Sequence, residues 1–200
     1  MNILFDWIVS KVVEEAVYLN SIGMQDIVIS VNLSPSQLGD DRAVESLKDQ
    51  LDRNKISPNR IELEITETTL ITNFKQAKAW TEMAASIGFR VAIDDFGAGY
   101  SSLSYLAAFN YNTVKFDRSL LDKIDVDSRQ QRIVGSLTQM IHSLSVPIVA
   151  EGAETEEQFE QLRKLGCDFI QGYLISKPIP HEELAIFLQK HTQVQKHTQV

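Results

Sequence analysis

A chain of 200 residues with 44% apolar and 23% charged side chains can bury one continuous core, which excludes a disordered tail and a fibrous protein. Asp and Glu number 27 against 19 Lys and Arg, and the net charge of -8 excludes a broad basic face that wraps DNA, while leaving open a phosphate substrate held through metal ions. The single cysteine, Cys167, can form neither an internal disulfide nor a Cys-rich zinc site, so it reads as a core residue in a reducing cytoplasm.

Leu4, Ile8, Val12, Ala16 and Leu19 recur at helical spacing, so the first twenty residues read as an amphipathic helix. They lack the basic start of a signal peptide, and no stretch approaches the roughly 20 apolar residues of a membrane span, so we expect a soluble chain with no membrane segment. The run 27–33 is β-branched and nearly all apolar, as expected of a parallel strand buried on both faces. Further strands are expected at 61–66, 91–96, 113–117, 147–152 and 169–176. Helices are expected at 40–54, 73–87, 128–144 and 156–165, two of them ending at Gly88 and Gly166, with a shorter helix near 101–105.

Alternating β and α segments imply a parallel sheet, either doubly wound or closed as a barrel. The strand starts recur every ~28 residues, close to the ~31 per unit of an eight-unit (β/α) barrel. The expected fold is therefore α/β, an incomplete TIM-type barrel with about six of eight units. The segment 189–200 is QKHTQV written twice and reads as a polar tail beyond a domain of residues 1–188; its His191 and His197 do not read as metal ligands.

Polar residues fall at the carboxyl ends of the expected strands: Asn32, Glu64, Asp94 and Asp95, Lys115 and Asp117, Glu151, with Gln171 in the last. Singly, Asn32 fits a turn before Ser34-Pro35, Glu64 or Glu67 a solvated strand end, and Lys115 a structural ion pair. Jointly they point to chemistry, because buried charges need partners and this end of an α/β barrel carries the catalytic mouth. Clustered carboxylate and amide oxygens suit hard cations such as Mg2+ or Mn2+ and disfavour zinc. Two such ions can bridge a phosphate and acidify an attacking water, with Lys115 adding positive charge near the developing oxyanion.

The blocks Val31-Asn32-Leu33-Ser34-Pro35-Ser36-Gln37-Leu38, Leu63-Glu64-Ile65-Thr66-Glu67, Ile93-Asp94-Asp95-Phe96-Gly97-Ala98-Gly99-Tyr100-Ser101-Ser102-Leu103, Val114-Lys115-Phe116-Asp117-Arg118-Ser119, Val149-Ala150-Glu151-Gly152-Ala153-Glu154-Thr155 and Gln171-Gly172-Tyr173-Leu174-Ile175-Ser176-Lys177-Pro178 together resemble the EAL domain of bacterial signalling proteins, a cyclic di-GMP phosphodiesterase fold. The resemblance implies that Asn32, Glu64, Asp94, Asp95 and Glu151 are metal ligands, Asp94 bridging two ions. It implies that Lys115 and Glu151 position or activate the water that yields linear pGpG, supported by Asp117 and Gln171. It further implies that the loop Asp95 to Leu103, tied to Glu67 and to Glu154, links metal binding to dimerisation. The family usually has Thr where Ala98 stands, which bears on loop hydrogen bonding.

No Glu-Ala-Leu tripeptide occurs, so the chain reads as an EAL domain that begins after that motif, without one metal-ligating glutamate and a phosphate-gripping arginine. Its expected partners are cyclic di-GMP, a second copy of the chain as a homo-oligomer, and regulatory domains of a parent protein; DNA and membrane are not among them. The alternative is a catalytically inactive module that binds a protein partner or nucleotide. A kinase, suggested by Asp95-Phe96-Gly97 alone, is set aside because the chain has neither a Gly-rich phosphate loop nor a His-Arg-Asp motif.

Overall fold

The strand β2 (Ile61–Thr66) sets the plan of the sheet, because its side chains alternate between two faces. Ile61, Leu63 and Ile65 are buried in one apolar core with Leu47, Leu51, Trp80 and Ala84 from the flanking helices. Glu62 and Glu64 are buried on the opposite face, against polar partners from neighbouring strands. This strand is therefore buried on both faces, one of them polar, whereas the run 27–33, expected to be buried on both faces, leaves Val28, Ser30 and Asn32 exposed because it stands at the edge of the sheet.

In this computed structural model, which describes residues 3–38, 41–99 and 103–197, β2 belongs to a parallel sheet of six strands in sequential order. The others are β1 (Ile29–Asn32), β3 (Arg90–Phe96), β4 (Thr113–Phe116), β5 (Ile148–Glu151) and β6 (Phe169–Gln171). The sheet curls into half a barrel of the TIM type. Around it stand α1 (Ile3–Ser21), α2 (Asp41–Arg53), α3 (Glu67–Thr72), α4 (Phe74–Ile87), α5 (Arg118–Leu121), α6 (Ser128–Ser143), α7 (Glu156–Leu165) and α8 (His181–His197). Among the described residues no helix is long and apolar enough to cross a membrane.

Local chemistry explains the boundaries. Thr155 and Gln158 form a reciprocal cap at the start of α7, acidic Glu156 and Glu157 occupy its first turn, and Arg163 and Lys164 its last, each matching the helix dipole. Left-handed Gly88 and Gly166 close α4 and α7.

The buried stripe of α1 is Phe5, Val9, Val12, Ala16 and Leu19, with Val13 beside it, so the face is turned from the expected one and Ile8 is only partly buried. Spacings of four and three along this stripe track the helix better than the expected series. The last strand stops at Gln171 instead of running to 176. There Leu174 N–H donates to Ala153 O, and Ile175 and Ser176 N–H donate to Gly172 O, which turns the chain out of the sheet.

Three helices were not expected: α3, capped by Thr66; α5, capped by Asp117; and α8, which runs on into the segment read as a polar tail. Residues 198–200 lie outside the described residues, and so do residues 100–102 of the Asp95 to Leu103 loop; a 3-10 turn occupies Leu103–Ala108.

Among the described residues each edge strand, β1 and β6, is paired on one side only, and Phe169 is 59% exposed. The helices nonetheless meet: His181 Nδ1 lies 2.7 Å from Glu15 Oε2, and its ring is 4.4 Å from that of Tyr18, joining α8 to α1. Cys167 packs partly buried against the core, and burial pushes its thiol up to about 11, so it stays protonated and unreactive near neutral pH.

Candidate active site

Polar side chains gather on the polar face because alternate positions of neighbouring strands come into register there. Glu64 pairs with Ala92, and Ala92 with Thr113, two residues before Lys115. Ala92 brings only a methyl group to this face, so a lysine on β4 can reach over β3 to a glutamate on β2. Lys115 Nζ lies 2.7 Å from Glu64 Oε1, 2.6 Å from Glu151 Oε1 and 3.4 Å from Asp94 Oδ1. Deeper along the same strands, Glu62 Oε1 accepts from Thr113 Oγ1 at 2.7 Å and from Arg90 Nε at 3.2 Å.

Burial alone would favour a neutral Lys115 amine, but its contacts with Glu151 and Glu64 outweigh that, so the group is held above the ordinary lysine range. It is an ammonium at any physiological pH and cannot serve as a base. Glu151 moves upward: burial raises its carboxyl, Asp94 and Glu64 add repulsion, and Lys115 opposes only part of this. Glu151 Oε1 is buried and faces the Lys115 ammonium, with no other donor to it among the described residues.

Asp95 breaks the strand. The β3–β4 register shifts between Ile93 and Phe96, Asp95 adopts φ 54, and its N–H donates to Asp94 Oδ1 at 3.0 Å. Aspartate tolerates this left-handed conformation better than most residues. The kink leaves much of Asp95 at the surface, yet partial desolvation, with Asp94 and Asp117 nearby, raises its carboxyl. Just beyond, Gly97 N–H donates to Glu67 Oε2 at 3.0 Å, so buried Glu67 fastens the start of the loop.

Of the residues singled out in the sequence, Glu64, Asp94, Lys115 and Glu151 come together directly. Asn32 is exposed at the end of β1, opposite Glu64 in register, and Gln171 is exposed opposite Glu151. Asp117 accepts from Ser119 N–H, and its own N–H donates to Phe96 O, so it caps α5. Glu154 does not meet the described part of the loop; its Oε1 lies 2.9 Å from Arg118 Nη1.

Three carboxylates around one ammonium leave surplus negative charge, and their oxygens, like those of Asp95 and Asn32 on neighbouring strands, are of the kind that suits Mg2+ or Mn2+. With the ammonium between the carboxylates, no three acidic, histidine or cysteine side chains among the described residues are grouped to ligate one ion as they stand. Glu151 Oε1, whose partner among the described residues is Lys115, is an oxygen such an ion would compete for.

Beside this cluster opens a cleft of ≈ 220 Å³ that Glu151, Gln171, Arg118, Glu154 and Tyr173 help to line. Gly152, at φ 85, forms its wall; a Cβ there would lie 2.9 Å from Arg118 Cγ, so glycine both turns the chain and seats the arginine stem. Arg118 and Tyr173 were missed as site residues in the sequence. Arg118 directly follows Asp117 at a strand end, and the positional rule that picked out its neighbours could have found it.

The EAL domain family profile matches residues 1–178. The cyclic di-GMP phosphodiesterase NbdA of Pseudomonas aeruginosa is 34% identical over 188 residues, which are 94% of this chain and 24% of that protein. The structure of the P. aeruginosa MucR phosphodiesterase in complex with c-di-GMP superposes with a TM-score of 0.82 at 35% identity, covering 89% of this chain and 72% of that one. The manganese and cyclic di-GMP complex of Klebsiella pneumoniae BlrP1 gives 0.78 at 32% identity, covering 87% and 45%. The chain spans about a quarter of the length of the first curated relatives it matches, 23% and 22% for two of them.

Proposed function

The chain belongs to the EAL domain family, and from that membership we propose that it carries the hydrolytic centre of a cyclic di-GMP phosphodiesterase, which opens the cyclic dinucleotide to pGpG. The observation that carries this reading is the convergence of Glu64, Asp94 and Glu151 on Lys115, from four adjacent parallel strands, beside a cleft. Relatives named for this activity support it.

In this proposal Asn32, Glu64, Asp94, Asp95 and Glu151 would hold Mg2+ or Mn2+. Such ions would supply an acidified water and positive charge beside the phosphate. Glu151, with its raised carboxyl on the cleft, is the acceptor for a proton of the attacking water. Water oxygen bonds to phosphorus, the ester bond to the ribose 3′ oxygen breaks, and the leaving oxygen takes up a proton. Lys115, a fixed cation, steadies the negative charge on the phosphoryl oxygens. Asp117 and Gln171 support the water network, and Glu67 holds the loop that begins at Asp95.

The test is incubation of the chain with cyclic di-GMP and Mn2+ or Mg2+, with the nucleotides separated afterwards. We expect pGpG to form and to disappear with excess chelator; turnover undiminished in chelator would sink the metal mechanism. Binding without any product would instead select the inactive nucleotide-binding module.

The singly paired edges β1 and β6, with exposed Phe169 and Ile175 near the second, support a homo-oligomer in which a second copy covers apolar surface. Light scattering should report more than one chain per particle at micromolar concentration, and a compact monomer would refute this. The greater length of the relatives supports regulatory domains in the parent protein, and the single, partly buried thiol is compatible with a cytoplasmic setting.

A further inference from the structure

Arg118 and Glu154 are a charged pair without a part in the chemistry above, and both line the cleft beside Glu151. Their contact uses one guanidinium nitrogen and one carboxylate oxygen, Nη1 and Oε1, 2.9 Å apart. The other N–H donors of Arg118 and the Oε2 acceptor of Glu154 are therefore available side by side. The side chains are 67% and 41% exposed, so little desolvation accompanies ligand binding.

The pair is held in place from three directions. The Arg118 stem lies on Gly152, where any Cβ would meet its Cβ, Cγ and Cδ at 2.9 to 3.2 Å. Asp117 caps the short helix that Arg118 begins, and Glu154 N–H donates to Gln158 Oε1 at 2.8 Å. At ≈ 220 Å³ the cleft is smaller than the ~300–1,000 Å³ pockets that hold whole drug-sized ligands, which suits one heterocycle of a dinucleotide. Tyr173, on the same cleft, exposes 58% of its surface and offers a ring face on which a base can stack.

We infer that Arg118 and Glu154 read a guanine base of the substrate, with Tyr173 as its stacking platform. Guanine presents two acceptors, O6 and N7, next to two donor groups, N1–H and the N2 amine. The guanidinium matches the first pair, as arginine does wherever it reads guanine, and the carboxylate matches the second. Adenine puts an amine where guanine has O6, so the arginine there faces a donor. The pair is thus a specificity determinant for guanine over adenine, and the inference rests on cyclic di-GMP being the substrate.

Calorimetric titration of the 200-residue chain tests this, with cyclic di-GMP and cyclic di-AMP as ligands and Ca2+ in place of Mg2+ to slow turnover. Arg118→Met keeps the stem over Gly152 and should weaken cyclic di-GMP binding about 10- to 100-fold while leaving cyclic di-AMP unchanged. Glu154→Gln should act in the same direction, and Tyr173→Ala should weaken both ligands alike. All three residues are exposed, so melting midpoints should match the parent chain.

An equal loss for both ligands in Arg118→Met would identify a phosphate grip and overturn the base-reading role. Unchanged cyclic di-GMP affinity in both Arg118→Met and Glu154→Gln would overturn it as well. Failure of the parent chain to bind cyclic di-GMP would reject the substrate reading itself, and this inference with it.

Discussion

Replacing Lys115 with methionine should cost the fold about 3–5 kcal/mol at neutral pH and abolish hydrolysis, because among the described residues it removes the cation that faces buried Glu64 and Asp94 and partly buried Glu151. The side chains of Lys115, Glu64 and Asp94 are 8%, 4% and 11% exposed, so water cannot replace the lost ammonium without opening the sheet. The carboxylates can escape their repulsion only by taking up protons. The deficit should therefore shrink as pH falls toward the ordinary carboxylate range, near ~4. Urea denaturation at pH 7 and pH 5, in chelator, measures both effects. Lys115→Arg keeps the charge and should recover part of the stability without restoring turnover, since its planar fork cannot place a point charge at the same spot. A Lys115→Met protein as stable as its parent would show that the cluster is solvated and that the lysine is not its counter-ion.

This cluster was legible in the sequence because its logic is one-dimensional: a charged residue at the carboxyl end of an apolar, β-branched run has few bland explanations, and four such runs carried one. The polar residues deeper on the same face were less legible. Glu62 and Thr113 stand near the starts of their strands, and only the β2–β3–β4 register shows that they meet. Register is a property of pairs of strands, and no single strand contains it. The same holds for Arg118, whose importance comes from Glu154, 36 residues later in the chain, and from the missing side chain of Gly152.

Helix faces and ends failed for different reasons. In α1 two overlapping apolar stripes share Val12, Ala16 and Leu19, and packing against α2 and β1 selects the one that begins at Phe5. The strand expected over 169–176 keeps an apolar and aromatic composition past Gln171, but Gly172 approaches Ala153 so closely that the chain must turn there. Helix α8 opens with acidic Glu182 and Glu183 directly after Pro180, a legible start signal that the conspicuous duplication at 189–200 obscured.

The substitution Glu151→Gln should separate catalysis from stability in the opposite sense to Lys115→Met. The two residues touch, so a purely structural role would make both substitutions destabilising. The Glu151 carboxyl is raised above its ordinary value, chiefly by burial and further by Asp94 and Glu64, so folding favours its neutral form. A group of this kind contributes stability below its unfolded pKa, ~4.3 for glutamate, and loses that contribution as pH rises through the folded value. Paired with the Lys115 ammonium, the glutamate carries its charge in a site that resists it, and a neutral glutamine of the same shape relieves it. Lys115 keeps Glu64 and Asp94 as partners in the variant. In chelator, Glu151→Gln should therefore melt at or above the temperature of its parent at pH 7, with the advantage fading toward pH 4. Hydrolysis in Mn2+ should nevertheless fall by ~10²–10⁴-fold, since the amide can neither accept the proton of the attacking water nor supply ligand charge. A variant that loses stability at pH 7 would mean that the Lys115 contact outweighs burial at Glu151. A variant that keeps full turnover would move the proton acceptor to another carboxylate, with Asp95, also raised and exposed at the β3 kink, the next to test.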